Sequence, residues 1–275
     1  MARPMWFVNL LKKSFGMRYA GAEMTKWPLL GRVMERALFN GLHGGDALFY
    51  LPKDRVMIQE RIDDQENLVV PSEVVAHFIK KARYVYLMDT CICRDAGDCQ
   101  TFDHNIGCIF LGEAVLDINP QLGRLVDVDT ALAHVQRARE AGLVHLIGRD
   151  KIDAVWMGVK PYTKLMTICN CCSCCCLFRF LPNLAPKLQK KIERMPGVRV
   201  VVNQEGCVGC GNCLEGVCFI DAIHMENGKA HISEDCRGCG NCIEACPEGV
   251  IQTIIERDDY IENAIRRLTE AVDVE

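Results

Sequence analysis

The sequence predicts an α+β protein: an N-terminal α/β cysteine-rich domain, residues 1–197, followed by a smaller domain, residues 198–275. Three observations predict this. The cysteines form three clusters beyond residue 90, helix and strand patterns alternate between residues 71 and 157, and the last cluster is an internal repeat. With 49% apolar and 25% charged residues in 275, the composition is globular rather than disordered or coiled-coil.

Hydrophobic periodicity and capping residues predict the individual elements. In chain order they are a helix from Ser72, its candidate N-cap, to about Lys81; a strand at 84–88; a helical pattern through Leu111, Ala114 and Val115; a helix at about 130–141, capped by Asp127 or Asp129; a strand at about 152–157; and a C-terminal helix through Ile261, Ala264, Ile265, Leu268 and Val272. The arrangement should gather the cysteines of the first domain at one end of a sheet, and the C-terminal helix should pack on its own domain.

The sequence also predicts the compartment. No apolar run reaches the 18 or so residues of a membrane-spanning helix, and the apolar stretch near the N-terminus is short and broken by Asn9. The 18 cysteines include adjacent ones, such as Cys171-Cys172, which favours metal thiolates in a reducing compartment over a disulfide scaffold. We therefore expect a cytoplasmic protein that binds metal through cysteine.

The C-terminal cysteines carry the clearest pattern. Two runs, Cys207-x2-Cys210-x2-Cys213-x4-Cys218 and Cys236-x2-Cys239-x2-Cys242-x3-Cys246-Pro247, repeat each other, as do the glycines of Gly209-x-Gly211 and Gly238-x-Gly240. In such a run three cysteines bind one [4Fe-4S] cluster and the fourth reaches the other cluster. The spacing therefore predicts one cluster on Cys207, Cys210, Cys213 and Cys246, and a second on Cys236, Cys239, Cys242 and Cys218. Zinc bound by paired cysteines is the alternative, although a triplet with a distal fourth cysteine is less typical of zinc.

Residues 198–255 resemble the two-cluster bacterial ferredoxins. The resemblance implies a small α+β fold with pseudo-twofold symmetry and short-range electron transfer. The first run departs from the family pattern in two ways, with one extra residue before Cys218 and Phe219 in place of proline. We interpret Gly216 as part of a one-residue bulge that leaves Cys218 a ligand.

The middle of the chain holds ten more cysteines, in Cys91-Ile92-Cys93-Arg94 with Cys99 and Cys108, and in the run from Cys169 to Cys176. These elements resemble a family of 4Fe-4S binding proteins of anaerobic bacteria and archaea, over about residues 45–275, and the resemblance implies a redox role. Burial as small apolar side chains and a thiol–disulfide relay are alternatives to at least one further iron–sulfur cluster. One or two clusters, or a larger one bridging both groups, are compatible with the number of thiols.

Side-chain alternation along a strand, and a turn at Asn170 or Ser173, predict the ligands of this further cluster. They are Cys91, Cys93, Cys99, Cys108, Cys169, Cys171, Cys172 and Cys174. Cys175 and Cys176 are expected to pack instead, beside Leu177 and Phe178. A charged loop around Arg94, Asp103 and His104 is either solvated or supplies a metal ligand or proton carrier.

Charge is distributed unevenly along the chain. Residues 1–36 carry seven basic and two acidic groups, a net +5, whereas residues 203–275 carry 15 acidic and five basic groups, a net −10. An acidic ferredoxin-type domain favours docking of basic redox partner proteins. The basic, aromatic arm at 1–45 is either a helical layer on the core or a docking segment for a membrane surface or another subunit. Nucleic acid is not an expected partner, since the pI is about 6.0.

These observations predict an iron–sulfur electron-transfer protein or subunit that passes electrons between the two ferredoxin-type clusters and an additional N-terminal cluster. The alternative is a reductase whose N-terminal iron–sulfur site is the catalytic centre, fed by its own ferredoxin domain. A redox or metal sensor is a third class. The sequence leaves open whether the protein is an enzyme.

Overall fold

The computed structural model of the chain describes residues 2–39, 47–53, 56–58 and 71–275. The expected end of the N-terminal arm at residue 45 lies outside these ranges. A seven-stranded sheet carries helices on both faces, and two smaller sheets lie in the C-terminal part. This arrangement confirms the α+β fold class.

The large sheet has the strand order β5-β3-β4-β7-β6-β1-β8. Its strands are β1 Ala47–Tyr50, β3 Val85–Met88, β4 Ile109–Leu111, β5 Gly123–Val126, β6 Val144–Arg149, β7 Met166–Cys171 and β8 Ile192–Arg194, while β2 is Val56–Ile58 in another sheet. All neighbouring strands of the large sheet are antiparallel except β1 and β8. Because Ile109 pairs with Ile168, Cys108, just before β4, lies beside Cys169 of β7.

One face of this sheet is covered by three helices: α4 Ser72–Lys81, α6 Val128–Glu140 and α10 Tyr260–Ala271. Helix α4 begins at Ser72, so its N-cap position is Pro71 and not Ser72 as expected. Asp127 caps α6, its side chain accepting a hydrogen bond from the Thr130 N–H at 2.8 Å.

The C-terminal helix forms where it was expected, but its packing was predicted wrongly. Leu268 and Ala264 of α10 are fully buried in the same apolar cluster as α4 and the large sheet, rather than on the C-terminal domain alone. The Arg149 guanidinium of β6 also donates to the Ala271 carbonyl at 2.8 Å. The apolar stripe of α10 is therefore covered by the N-terminal sheet, and the two parts of the chain share one core.

The opposite face carries α7 Lys151–Met157, in the segment expected to be a strand. Asp150 caps this helix by accepting from the Ile152 N–H at 2.9 Å, and Gly158 ends it in the left-handed region at φ 73°. The N-cap at Asp150 and the glycine at the C-terminal end favour a helix, although the apolar composition of the segment is typical of a strand.

The segment after Cys108 also differs from its predicted helical pattern. It forms strand β4 and then, after Gly112 at φ 101°, a 3-10 helix at Glu113–Asp117. A residue with a side chain is strained at this backbone conformation, so the glycine permits the break between strand and helix.

The C-terminal part begins with β9 Val198–Val202 and ends, before α10, with β12 Ile251–Ile255, which pair antiparallel. Between them lie the hairpin β10 Ile223–Glu226 with β11 Lys229–Ile232, and the short helix α9 Asn241–Glu244. Strand β2 joins β12 in parallel, so the N-terminal part contributes a strand to this sheet.

The N-terminal arm is helical. It contains α1 Met5–Ser14, a 3-10 turn at Phe15–Met17, α2 Arg18–Met24, α3 Pro28–Met34 and a π-helix at Glu35–Phe39. Val8 of α1 is fully buried against the sheet, and Lys12 forms an ion pair with Asp95 at 2.6 Å. The arm is therefore a layer on the core. Across the described ranges, no helix has the length and apolarity needed to cross a bilayer.

The packing of α10 can be tested by mutation. Leu268→Ala should lower the free energy of unfolding of the whole chain by about 2–5 kcal/mol, because it opens a cavity in the shared core. Chemical denaturation, followed by circular dichroism, measures the change. Thr269→Ala, on the exposed side of the same helix, is the matched control and should change stability by less than about 0.5 kcal/mol.

Candidate metal centres

Two cavities in the C-terminal part are each lined by four cysteines. One contains Cys207, Cys210, Cys213 and Cys246. The other contains Cys218, Cys236, Cys239 and Cys242. The structure thus brings together the two sets that the spacing rule predicted, each with three cysteines from one run and the fourth from the other run.

Backbone N–H groups around these cavities are positioned to donate hydrogen bonds to sulfur. The N–H groups of Ala230, Ala222 and Gly238 point at the Sγ atoms of Cys207, Cys218 and Cys236, at 3.3–3.4 Å. Gly209 has φ 73°, and a Cβ atom there would lie 2.2 Å from the Gly228 carbonyl oxygen. Four thiols with converging N–H donors fit a [4Fe-4S] cluster, whose sulfurs accept such hydrogen bonds.

The first cysteine run, Cys207 to Cys218, departs from the ferredoxin pattern by one extra residue and by Phe219, and the local structure accommodates both differences. Gly216 adopts φ 70° with open space around it, in the turn that leads to Cys218. Phe219, in place of the usual proline, is buried and packs against Tyr50 with ring centroids 5.3 Å apart. The extra residue therefore leaves Cys218 at its cavity, and Phe219 gains a contact with strand β1.

In the N-terminal part, one group of four thiols draws on both cysteine elements. The Sγ atoms of Cys99, Cys172, Cys174 and Cys175 all lie within 4.8 Å of one another. Cys99 and Cys174 are 3.5 Å apart, and the Cys175 N–H points at the Cys172 Sγ at 3.4 Å. The chain turns at Ser173, and the turn brings three of these thiols around one point.

This grouping corrects one expectation. Cys175 was expected to pack as an apolar residue, but it is a member of the four-thiol group. Of the arrangements that the sequence left open, the four-thiol group draws on both cysteine elements, because Cys99 joins the later element. The turn at Ser173 is the reason, since it directs Cys174 and Cys175 back toward Cys99.

The other six N-terminal cysteines form a second group around one cavity, which Cys172 of the first group also lines: Cys91, Cys93, Cys108, Cys169, Cys171 and Cys176. The Sγ atoms of Cys108 and Cys169 are 3.4 Å apart. Cys169 and Cys171 lie two residues apart on β7, so they share one face of the sheet, as expected. Strand alternation would place Cys91 and Cys93 on one side if the strand continued through them, but Cys91 is the N-cap of the short helix α5 Ile92–Ala96 and Cys93 lies within it.

Cys176 is buried, as expected of a packing residue, in an apolar cluster with Leu181 and Tyr50. It nevertheless interacts with the thiol of Cys171, and it lines the same cavity. It is therefore a member of the six-thiol group as well as of the core.

Arg94 lies between the two thiol groups and is completely buried. Its guanidinium donates to the carbonyls of Asn170, at 2.8 Å, and Ile106. Burial alone would lower the pKa of Arg94, but the negative charge available on Cys91, Cys172 and Cys108 outweighs this and raises the pKa. Arg94 is therefore a permanent buried cation beside both groups.

His104 and Asp103 do not join either group. The His104 imidazole hydrogen-bonds through Nε2 to the Cys99 carbonyl at 2.8 Å, and Asp103 pairs with Arg137 at 3.3 Å. Both residues therefore have structural partners in the loop.

Sequence reasoning missed Tyr50, at the end of β1. This residue is 1% exposed, and its hydroxyl has no hydrogen-bond partner within the described ranges. Burial raises its pKa well above the usual value, and the nearby thiols of Cys176, Cys171 and Cys239 raise it further. Tyr50 thus lies between the six-thiol group and a cysteine of the C-terminal part. No motif marks it, because the contact exists only after the strand is placed.

Comparison with known families agrees with the C-terminal geometry. Residues 199–247 match the family described as a 4Fe-4S dicluster domain. Neither the curated proteins nor the solved structures compared with the chain gave a match. The chain therefore contains a ferredoxin-type domain with two [4Fe-4S] clusters, and the thiols of Cys99, Cys172, Cys174 and Cys175 indicate a further iron–sulfur site.

The position of Cys175 can be tested by substitution. Cys175→Ser should lower the iron content of the anaerobically purified full-length protein to the same extent as Cys174→Ser, because both thiols belong to the four-thiol group. Iron analysis and electron paramagnetic resonance (EPR) measure the loss, and the ferredoxin signals should be unchanged. Ser173→Ala, in the same turn, is the control and should keep full iron. Full iron in Cys175→Ser would return Cys175 to the role of a packing residue.

Proposed function

We propose that the protein transfers electrons between its ferredoxin-type domain and the N-terminal cysteine-rich site. The observation that carries this proposal is the contact between the two parts. Tyr50 and Phe219 lie in one apolar cluster with Cys171 and Cys176 of the N-terminal part and Cys239 of the C-terminal part. Bound iron–sulfur clusters would supply one-electron redox chemistry at both ends of this contact.

The positions of the two ferredoxin cavities and the N-terminal thiols support a linear path for electrons. Cys210 of the first ferredoxin cavity is exposed, whereas the second cavity includes Tyr50 and Phe219 among its lining residues. The first cavity is therefore accessible to a partner protein, and the second adjoins the N-terminal thiols. Arg94, with its charge buried between the thiol groups, would stabilise the negative charge of a reduced centre.

The contact through Tyr50 can be tested by kinetics. Tyr50→Leu should slow reduction of the N-terminal centre several-fold after rapid reduction of the full-length protein, because it opens a gap between Phe219 and the Cys171 region. Rapid freeze-quench EPR follows the ferredoxin and N-terminal signals separately. Tyr50→Phe is the matched control, since it keeps the ring and removes only a hydroxyl without a partner within the described ranges. Equal rates in the three proteins would contradict the proposal.

A second function, a reductase with its reaction centre in the N-terminal part, is favoured by one observation. A cavity of about 240 Å3 opens beside the six-thiol group and is also lined by Trp156, Asp153 and Phe178. A cavity of this size next to metal-binding thiols has room for a small substrate.

A small exogenous ligand distinguishes the reductase from a pure carrier. If an iron of the N-terminal site has an open coordination position, cyanide should change the EPR signal of that site. The ferredoxin signals, from fully thiolate-ligated clusters, serve as the internal control and should not change. An unchanged N-terminal signal at saturating cyanide would leave electron transfer as the function.

A further inference from the structure

The six-thiol group is a site in its own right. A continuous series of thiol contacts joins its members, from Cys93 through Cys91 to Cys108, from there to Cys169, and on to Cys171 and Cys176. None of the six belongs to the four-thiol group around Cys99. The N-terminal cysteines thus form two adjoining sets with Arg94 between them, and Cys172 of the four-thiol group also lines the cavity of the six-thiol group.

Burial in the core does not explain this group. Core cysteines pack against apolar side chains on all sides, whereas these six line a cavity of about 240 Å3. The two ferredoxin cavities, each lined by four cysteines, measure about 30 and 10 Å3. The six-thiol cavity therefore has more thiols and more space than a site that fits one [4Fe-4S] cluster.

Cationic side chains also line the cavity, along with Asp150 and Asp153. Arg94 and Arg18 both line it, and the Nε atom of each is buried with no hydrogen-bond partner among the residues that the structure describes. Lys12 lines the same cavity from helix α1. A buried N–H group without an acceptor is costly, and a thiolate-bound cluster offers both negative charge and acceptor sulfurs. The charges and the donors therefore point to an anionic, sulfur-rich occupant.

The N-terminal arm forms one wall of this site. Leu11 and Phe15 line the cavity on one side, and Lys12 fixes the end of α1 to Asp95 of the helix that carries Cys93. The largely apolar lining reduces contact between the thiols and water. Such a surrounding is typical of a cluster site, since solvent exposure is one of the factors that set cluster properties.

We infer that Cys91, Cys93, Cys108, Cys169, Cys171 and Cys176 hold an iron–sulfur cluster of their own, separate from the cluster of Cys99, Cys172, Cys174 and Cys175. The protein then contains four metal centres in sequence: two in the ferredoxin-type domain, the six-thiol centre beyond Tyr50, and the four-thiol centre beyond Arg94. The six-thiol centre is the N-terminal centre nearest to Cys239, because Tyr50 contacts its thiols directly.

Metal content tests this inference without reference to electron transfer. The two ferredoxin clusters and the four-thiol cluster account for about 12 irons, so a further cluster should bring the full-length chain to about 16 or more. Native mass spectrometry of the unaltered, anaerobically purified protein counts iron and sulfide together. A chain with about 12 irons or fewer, or with zinc and no additional sulfide, overturns the inference.

Paired variants test whether the two N-terminal centres are separate. Cys108→Ser/Cys169→Ser should lose about four or more irons while keeping the EPR signals of the ferredoxin and four-thiol centres. Cys99→Ser/Cys174→Ser should show the converse loss. If both pairs abolish the same signals, one shared cluster replaces two and the inference is wrong.

Two further variants control for misfolding. Met88→Leu, a volume-conserving change in the cavity wall, should keep full iron and all signals. Cys91→Ser/Cys93→Ser alters the same centre at residues outside the large sheet. It should therefore reproduce the iron loss of Cys108→Ser/Cys169→Ser even if that variant is unstable. Full iron content in Cys91→Ser/Cys93→Ser would overturn the assignment.

Discussion

The architecture of the N-terminal part depends on one physical constraint: the guanidinium of Arg94 is buried, and a buried charge requires partners. Backbone carbonyls and cysteine thiols supply them. The Arg94 side chain is fully buried, and its two terminal nitrogens donate hydrogen bonds to the carbonyls of Asn170 and Ile106. The same side chain thus fixes helix α5 to strand β7 and provides a cation beside both thiol groups, so packing and electrostatics are satisfied together.

Strand register and one turn distribute the cysteines around this cation. The β4–β7 pairing sets Cys108 beside Cys169, and alternation along β7 adds Cys171 on the same face. After β7 the chain turns at Ser173, which directs the next cysteines to Cys99 instead. The run from Cys169 to Cys176 therefore contributes thiols to both groups.

The ferredoxin-type domain is integrated with the rest of the chain rather than attached by a linker. Helix α10 packs on α4 and the large sheet, and β2 extends the sheet formed by β9 and β12. This shared core fixes the position of the second ferredoxin cavity relative to β1, where Tyr50 and Phe219 meet. A fixed position is what an internal electron path needs, because it replaces diffusional encounter between separate proteins.

The sequence by itself determined the chemistry: thiolate sites of iron and sulfur, the two crossed sets of cysteines between Cys207 and Cys246, and the helices at α4, α6 and α10. These features depend on local spacing and periodicity, which are visible in the chain. Only the tertiary structure decided how the ten N-terminal cysteines divide, that Cys175 joins Cys99, that Tyr50 bridges the two parts and that α10 covers the N-terminal sheet. Each of these depends on which distant segments meet, and the helix at α7 shows that capping by Asp150 and Gly158 can override an apolar, strand-like composition.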